Sequence, residues 1–171
     1  MELMLDVLRG IDSARYRVRL AQYASHSRVS FLAIAEELLS AYIATDFVVF
    51  DQGEEWALHV GAASPRVDDL LDRHGAIRAT IVTAFNPRSQ MLTPDANAAR
   101  HRTLVRLLEE RGLPFLYGEG RDPSGRWTAE TECIVFGISL AEGLEIARRF
   151  EQNAVVFIER GRAPRLEFPE G

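Results

Sequence analysis

Four short apolar runs, with two helical patterns between them, constrain the fold of this chain more than any other feature. In chain order the predicted elements are strand Ile77–Phe85, helix Pro94–Arg111, strand Pro114–Tyr117, strand Cys133–Ile138, helix Leu140–Glu151 and strand Ala154–Glu159. A strand-helix-strand unit that occurs twice is typical of the ferredoxin-like split βαβ core (βαββαβ), an α+β fold. The last two strands are apolar almost throughout, so both faces of the sheet should be covered. A three-layer sandwich is the alternative.

The segments before residue 77 are predicted to extend the sheet or to cover its open face. Ala44–Phe50 and Glu55–Val60 flank a turn and indicate a β-hairpin. Pro65 begins a short amphipathic helix, which Gly75 ends.

Residues 3–24 and about 31–42 show apolar positions at helical spacing, which predicts two N-terminal helices. We therefore expect a helical extension over residues 1–40 that packs on the core. A single α+β domain should occupy residues 41–162, and residues 163–171 should form an extended or frayed tail.

The composition excludes several classes of chemistry. All 20 basic residues are arginine, so no Schiff-base lysine and no P-loop lysine is present. The net charge of −5 disfavours nucleic acid or an anionic membrane as a partner. The single cysteine, Cys133, excludes an internal disulfide and a multi-cysteine zinc site. The N-terminus does not resemble a signal peptide, and no run reaches about 18 apolar residues. A cytoplasmic protein is the resulting expectation.

Polar residues gather at one predicted edge of the sheet. Chain direction brings together three junctions, at residues 86–93, 118–131 and 152–153, if the split βαβ arrangement is right. An arginine near a helix N-terminus suits phosphate or carboxylate. We therefore predict a cleft for a small anionic, perhaps nucleotide-like, ligand. Its predicted ligand-binding residues are Asn86, Ser89, Asn97, Arg100, Trp127 and Gln152.

Glu130 and His101 are the candidate catalytic residues of this cleft. Glu130 and Glu132 are two apart in an extended segment and should face the same side, where they could share a proton or hold a hard cation. A solvated strand edge is the alternative interpretation. His101 could transfer protons, but the histidines lack metal-ligand spacing. No metal site is predicted, and the pattern decides neither the cofactor nor whether the protein is an enzyme.

The same residues also permit a purely structural interpretation. Asn86 and Asn97 could bond the loop backbone, Arg100 could pair with Glu130, and Gln152 could bond free carbonyls at a helix end. Trp127 could cover the core rather than stack on a ligand ring. The alternative function is then a non-catalytic protein-interaction domain, in which the N-terminal amphipathic helix could mediate homodimerisation.

These residues together resemble a bacterial family known as domain of unknown function 3293. The matching residues are Ala41, Tyr42, Thr45, Phe47, the segment Thr83-Ala84-Phe85-Asn86-Pro87, Ser89, Asn97, Arg100, Gly118, Gly120, Asp122, Trp127, Glu130, Phe150, Gln152 and Ala154. The resemblance covers about residues 41–160. Ala96 stands where the family commonly has an acidic residue, and Glu132 stands where a small hydroxyl residue is common. The resemblance implies a shared site but no activity.

Overall fold

The structure, a computed structural model, describes residues 38–169. One compact unit holds residues 44–169, and the other holds the residues before 44 together with the last two. In the described part of the second unit, residues 38–43 are helical. The helix predicted over residues 3–24, its packing on the core and its role in a homodimer lie outside the described residues.

Residues 44–169 form an α+β unit built on one seven-stranded sheet, so the predicted α+β class is confirmed. The strands are β1 (Asp46–Asp51), β2 (Glu54–Leu58), β3 (Arg78–Thr83), β4 (Phe115–Arg121), β5 (Glu130–Phe136), β6 (Val155–Glu159) and β7 (Arg165–Glu167). The helices are α1 (Pro65–Arg73), α2 (Pro94–Glu110) and α3 (Leu140–Arg149). Across the sheet the order is β2-β1-β4-β5-β3-β6-β7, and every neighbouring pair is antiparallel.

Local capping determines where the two long helices begin. Thr93 accepts a hydrogen bond from the Ala96 backbone at the start of α2, and Pro94 occupies the first helical turn. Ser139 and Glu142 form a reciprocal capping box at the start of α3. Both helices thus begin at the residues that the sequence predicts.

Helices pack on both faces of the sheet. Leu104 and Leu108 of α2 and Ile146 of α3 share an apolar cluster with Cys133 and Val135 of β5. On the opposite face, the ring of His74, directly after α1, stacks on Phe136 with 4.1 Å between ring centroids. Successive β5 residues point to alternate faces, so Glu130 and Glu132 lie on the face of α1. No helix within residues 38–169 is long and apolar enough to cross a bilayer.

Two elements differ from the sequence prediction. The predicted loop over residues 118–131 is shorter, because β4 continues to Arg121 and β5 begins at Glu130. Its glycines indicate a turn but instead permit close strand pairing: a Cβ on Gly118 would lie 2.4 Å from the Val48 carbonyl oxygen of β1. Strand β7 forms in the predicted tail, where it pairs with β6 and buries Leu166.

Candidate functional site

Hydrogen bonds join the three junctions that chain direction predicts to meet. Asn86 Nδ2 donates to Glu130 Oε1 at 2.7 Å, which links the end of β3 to the start of β5. Gln152 Nε2 donates to the Phe85 carbonyl at 2.7 Å, which links the α3–β6 connection to the same place. The predicted convergence is confirmed, and we call this region the junction.

Asn86 and Asn97 form a reciprocal amide pair at the centre of the junction. The Asn86 backbone N–H donates to Asn97 Oδ1, and Asn97 Nδ2 donates to Asn86 Oδ1, both at 2.9 Å. The Leu92 backbone N–H also donates to Asn86 Oδ1 at 2.9 Å. Asn97 is only 6% exposed. This polar residue on an otherwise core-facing stripe of α2 therefore fixes the loop before that helix.

Arg100 lies one turn further along α2 and bonds main-chain carbonyls. Its Nε donates to Ala84 O at 2.8 Å, and its Nη2 donates to Phe150 O at 2.6 Å. Within residues 38–169 no carboxylate lies within ion-pair distance of Arg100, so the predicted alternative of a pair with Glu130 is not formed. The half-buried guanidinium therefore has no counter-charge from this part of the chain.

Strained backbone is concentrated at the junction. Asn86, Arg88, Ser89 and Glu151 have φ values of 43°, 53°, 57° and 57°. The left-handed conformation costs an L-residue roughly 1–2 kcal/mol. The two strained segments hold each other: the Arg88 N–H donates to Glu151 O at 2.8 Å, and Asn153 Nδ2 donates to Ser89 Oγ at 2.9 Å. Sequence reasoning identified Asn86 and Ser89 but missed the role of Glu151.

Two carboxyl groups on β5 border the junction. In the pairing of β5 with β4, Glu130 lies opposite Gly120 and Glu132 lies opposite Gly118. Glu132 is only 7% exposed, and its Oε2 has no hydrogen-bond partner. A Cβ on Gly120 would lie 2.9 Å from Glu132 Oε1, so the Glu132 carboxyl extends over that glycine. Glu132 is thus a buried acid and does not belong to a solvated strand edge.

Burial sets the protonation of both acids. It raises the pKa of Glu132 well above the ordinary value, and the negative charges of Glu130 and Glu119 raise that pKa further. Burial also raises the pKa of Glu130, although the hydrogen bond from Asn86 acts in the opposite direction. The direction of these shifts favours the protonated form of both acids, more strongly that of Glu132.

Residues 82–155 match a family model whose description is "Protein of unknown function (DUF3293)". The resemblance to DUF3293 is confirmed. The matched segment runs from β3 to the start of β6 and contains all eight candidate site residues. No curated protein and no solved structure is significantly similar to the chain.

Two candidates in the DUF3293 segment lie apart from the hydrogen-bond network. His101 lies between the rings of Phe85 and Tyr117, at centroid distances of 6.1 and 6.0 Å, and its Nδ1 is buried without a partner. Burial lowers the pKa of His101 and thereby favours the neutral imidazole. Trp127 is half-buried, and it makes no hydrogen bond or ring contact with residues 38–169.

The remaining nucleophile and metal candidates of the DUF3293 segment are limited by their surroundings. Cys133 is fully buried, and burial with the Glu132 charge raises the pKa of its thiol to about 12. A thiol in this environment is inert. Among the described residues, no group of three or more His, Cys, Asp or Glu side chains is arranged to hold a metal ion.

Proposed function

We propose that the junction binds a small anionic ligand at Arg100. The carrying observation is the half-buried guanidinium that has no carboxylate partner within residues 38–169. Several other arginines of this acidic chain do have such partners, for example Arg88 with Glu151 and Arg121 with Glu55. A partly desolvated charge is costly unless it is paired, so an anion would stabilise Arg100.

The strained loops support a site at this place. Left-handed non-glycine residues persist where the surrounding structure holds them, and they cluster at functional sites. In this proposal Asn86, Asn97 and Gln152 hold the binding loops, while the exposed Ser89 hydroxyl is available to contact the anion. Trp127 is the candidate for stacking on a nucleotide-like ring.

Glu130 and His101 are the proton-transfer candidates if the ligand is a substrate. The pKa of Glu130 is raised and that of His101 is lowered. The pKa of a carboxylic acid then moves towards neutral pH, while the imidazole remains an available base. No hydrogen bond within the described part of the chain joins the two side chains, so each would act on a different part of the ligand.

The test is a titration of the ¹⁵N-labelled full chain with inorganic phosphate and with acetate, followed by NMR. We expect saturable shifts of the backbone amides of Asn86, Asn97 and Arg100 in the millimolar range, because one arginine-anion contact gives a weak affinity. Arg100→Lys keeps the charge but loses the planar fork, and should weaken binding. Arg102→Gln, at a neighbouring exposed position on the same helix, is the matched control and should bind like the wild type. Shifts that are absent or unsaturable at the junction would refute the proposal.

The alternative is a non-catalytic interaction domain in which the polar cluster is structural. The observation that favours it is the reciprocal Asn86–Asn97 pair, which consumes the groups that a ligand would need. In this case Glu130→Gln should lower the free energy of unfolding by ~2 kcal/mol or more, and anions should not bind. Homodimerisation through the N-terminal helix stays a prediction, which native mass spectrometry would check.

We also interpret β3, β4, β5 and β6 as a ferredoxin-like split βαβ core. The spatial order β4-β5-β3-β6, with α2 and α3 in the two crossovers, supports this interpretation. A solved structure with a different order of these four strands would refute it. The cytoplasmic location and the bacterial origin stay predictions from composition and family resemblance.

A further inference from the structure

A row of aromatic side chains runs from the end of β3 past α2 to β4. The ring centroids of Phe85 and His101 are 6.1 Å apart, those of His101 and Tyr117 are 6.0 Å apart, and those of Tyr117 and Phe115 are 5.4 Å apart. One end is anchored, because Phe115 packs against the apolar cluster that α2, α3 and β5 share. We call these four side chains the aromatic row.

The aromatic row reaches the surface at Tyr117. This side chain is 48% exposed, although it lies on β4, a strand that pairs on both sides. Neither neighbouring ring is parallel to it, since the ring planes make angles of 89° with Phe115 and 47° with His101. No described ring therefore stacks face to face on Tyr117, and a planar ligand can do so.

His101 gives the aromatic row one polar atom that a ligand can reach. Its Nδ1 is buried and has no partner among the described residues. Its Nε2 bonds no described residue either, but it is not buried, so it faces solvent. The imidazolium form would bury an N–H group without an acceptor, and burial lowers the pKa of His101 accordingly. The neutral ring avoids this cost when Nδ1 is bare and the exposed Nε2 carries the proton.

We propose that the aromatic row binds a planar heteroaromatic ring, which stacks on Tyr117 and accepts a hydrogen bond from the Nε2–H of His101. The distance of 6.0 Å between these two ring centroids suits a fused two-ring system that covers Tyr117 and reaches the imidazole. A neutral ring fits this surface, because the row carries no formal charge when His101 is neutral.

The ring site goes beyond the anion site and does not depend on it. Arg100 bonds main-chain carbonyls, whereas His101, the next residue on α2, contacts the rings of Phe85 and Tyr117. The donor role also differs from the proton transfer considered above. A base needs a bare Nε2, whereas the ring site needs a protonated one, so the position of the proton on His101 separates the two roles.

The experiment titrates the ¹⁵N-labelled full chain with benzimidazole and with indole, in a slightly basic buffer in which both probes are neutral. The two probes have the same shape, but benzimidazole has a ring-nitrogen acceptor where indole has a C–H group. We expect saturable shifts of the His101 and Tyr117 amides with both, and up to about tenfold tighter binding of benzimidazole, as one hydrogen bond predicts. Long-range ¹H–¹⁵N correlation should place the His101 proton on Nε2.

Three variants assign the contacts. His101→Phe keeps a ring but removes the N–H donor, so it should abolish the preference for benzimidazole and retain indole binding. Tyr117→Leu should weaken the binding of both probes, because it removes the stacking surface. Ile77→Ala, at a 67% exposed apolar position directly before β3, is the matched control and should bind like the wild type.

The outcomes separate the ring site from the anion site. Equal affinities for the two probes, no saturable shifts at the aromatic row, or a preference that survives in His101→Phe would each refute the ring site and leave the anion site untouched. Arg100→Lys should bind benzimidazole like the wild type, and a loss there would contradict the independence of the two sites. If His101→Phe does not fold, the wild-type tautomer decides, and a proton on Nδ1 would overturn the proposal.

Discussion

Replacement of Glu132 by glutamine should stabilise the protein in a pH-dependent manner. The side chain is buried, one oxygen lacks a partner, and its pKa is raised well above the ordinary value by burial and by the charges of Glu130 and Glu119. In the unfolded chain Glu132 ionises near its ordinary pKa, whereas in the folded chain it retains its proton. The folded state therefore binds more protons, and the stability contributed by this group is lost as the pH rises towards the folded pKa.

The magnitude follows from this linkage. Between the ordinary glutamate pKa and the raised folded pKa, one such group lowers the free energy of unfolding by about 1.4 kcal/mol per pH unit. Glutamine has nearly the same shape and does not titrate. Glu132→Gln should therefore match the wild type within about 0.5 kcal/mol at low pH, where Glu132 is protonated in both states. At higher pH the free energy of unfolding of Glu132→Gln should exceed that of the wild type by an amount that grows by about 1.4 kcal/mol per pH unit.

The assay is urea denaturation at several pH values between about 5 and 8, followed by tryptophan fluorescence. Glu130 contributes a slope of the same sign, but it is present in both proteins and largely cancels in the difference. Glu110→Gln, at an exposed position, controls for the loss of one acidic group and should reproduce the wild-type profile. Parallel wild-type and Glu132→Gln profiles would show that Glu132 is ionised in the folded protein and would refute the reasoning.

Three further predictions concern the same region. Gly118→Ala should cost more than Gly120→Ala in urea denaturation, where overpacking costs roughly 1–3 kcal/mol. A Cβ at position 118 would lie 2.4 Å from a backbone carbonyl of β1, whereas a Cβ at position 120 would lie 2.9 Å from the end of the Glu132 side chain, which can move. Equal losses of stability in the two variants would contradict this prediction. Glu151→Gly should be more stable than Glu151→Ala by about 1 kcal/mol, since φ is 57° and both lose the ion pair with Arg88; a reversed order would argue against strain. Cys133 should react with thiol reagents at about pH 8 no faster than the protein unfolds, because burial raises its pKa to about 12, and rapid labelling of folded protein would exclude this.

The fold was predictable wherever the controlling interactions are local. Both long helices begin at the predicted residues, since a cap needs only residues within one turn. The extension of β4 through Gly118 and Gly120 was not predictable, because the reason for those glycines lies on the neighbouring strands. Strand β7 was missed for the same reason: its stabilisation comes from pairing with β6.

The candidate site was predictable where a polar residue interrupts an apolar pattern. Asn97 was identified in this way, and the structure places it in the hydrogen-bond network. Strand alternation correctly predicts that Glu130 and Glu132 share a face, but it does not predict that this face is covered at Glu132. The left-handed backbone of Arg88 and Glu151 carries no sequence signal, since these residue types seldom adopt it.

The hydrogen bonds of the junction determine which substitutions can separate function from stability. Arg100 and Asn97 each bond the backbone, so their removal should destabilise the fold whether or not a ligand binds. Glu132 differs, because its free oxygen contributes no hydrogen bond and its burial opposes ionisation. A residue that is retained at a cost in stability is expected where function requires it. Glu132→Gln is thus the substitution for which the two interpretations diverge: greater stability would favour a functional role for the buried acid, and lower stability would favour a structural role.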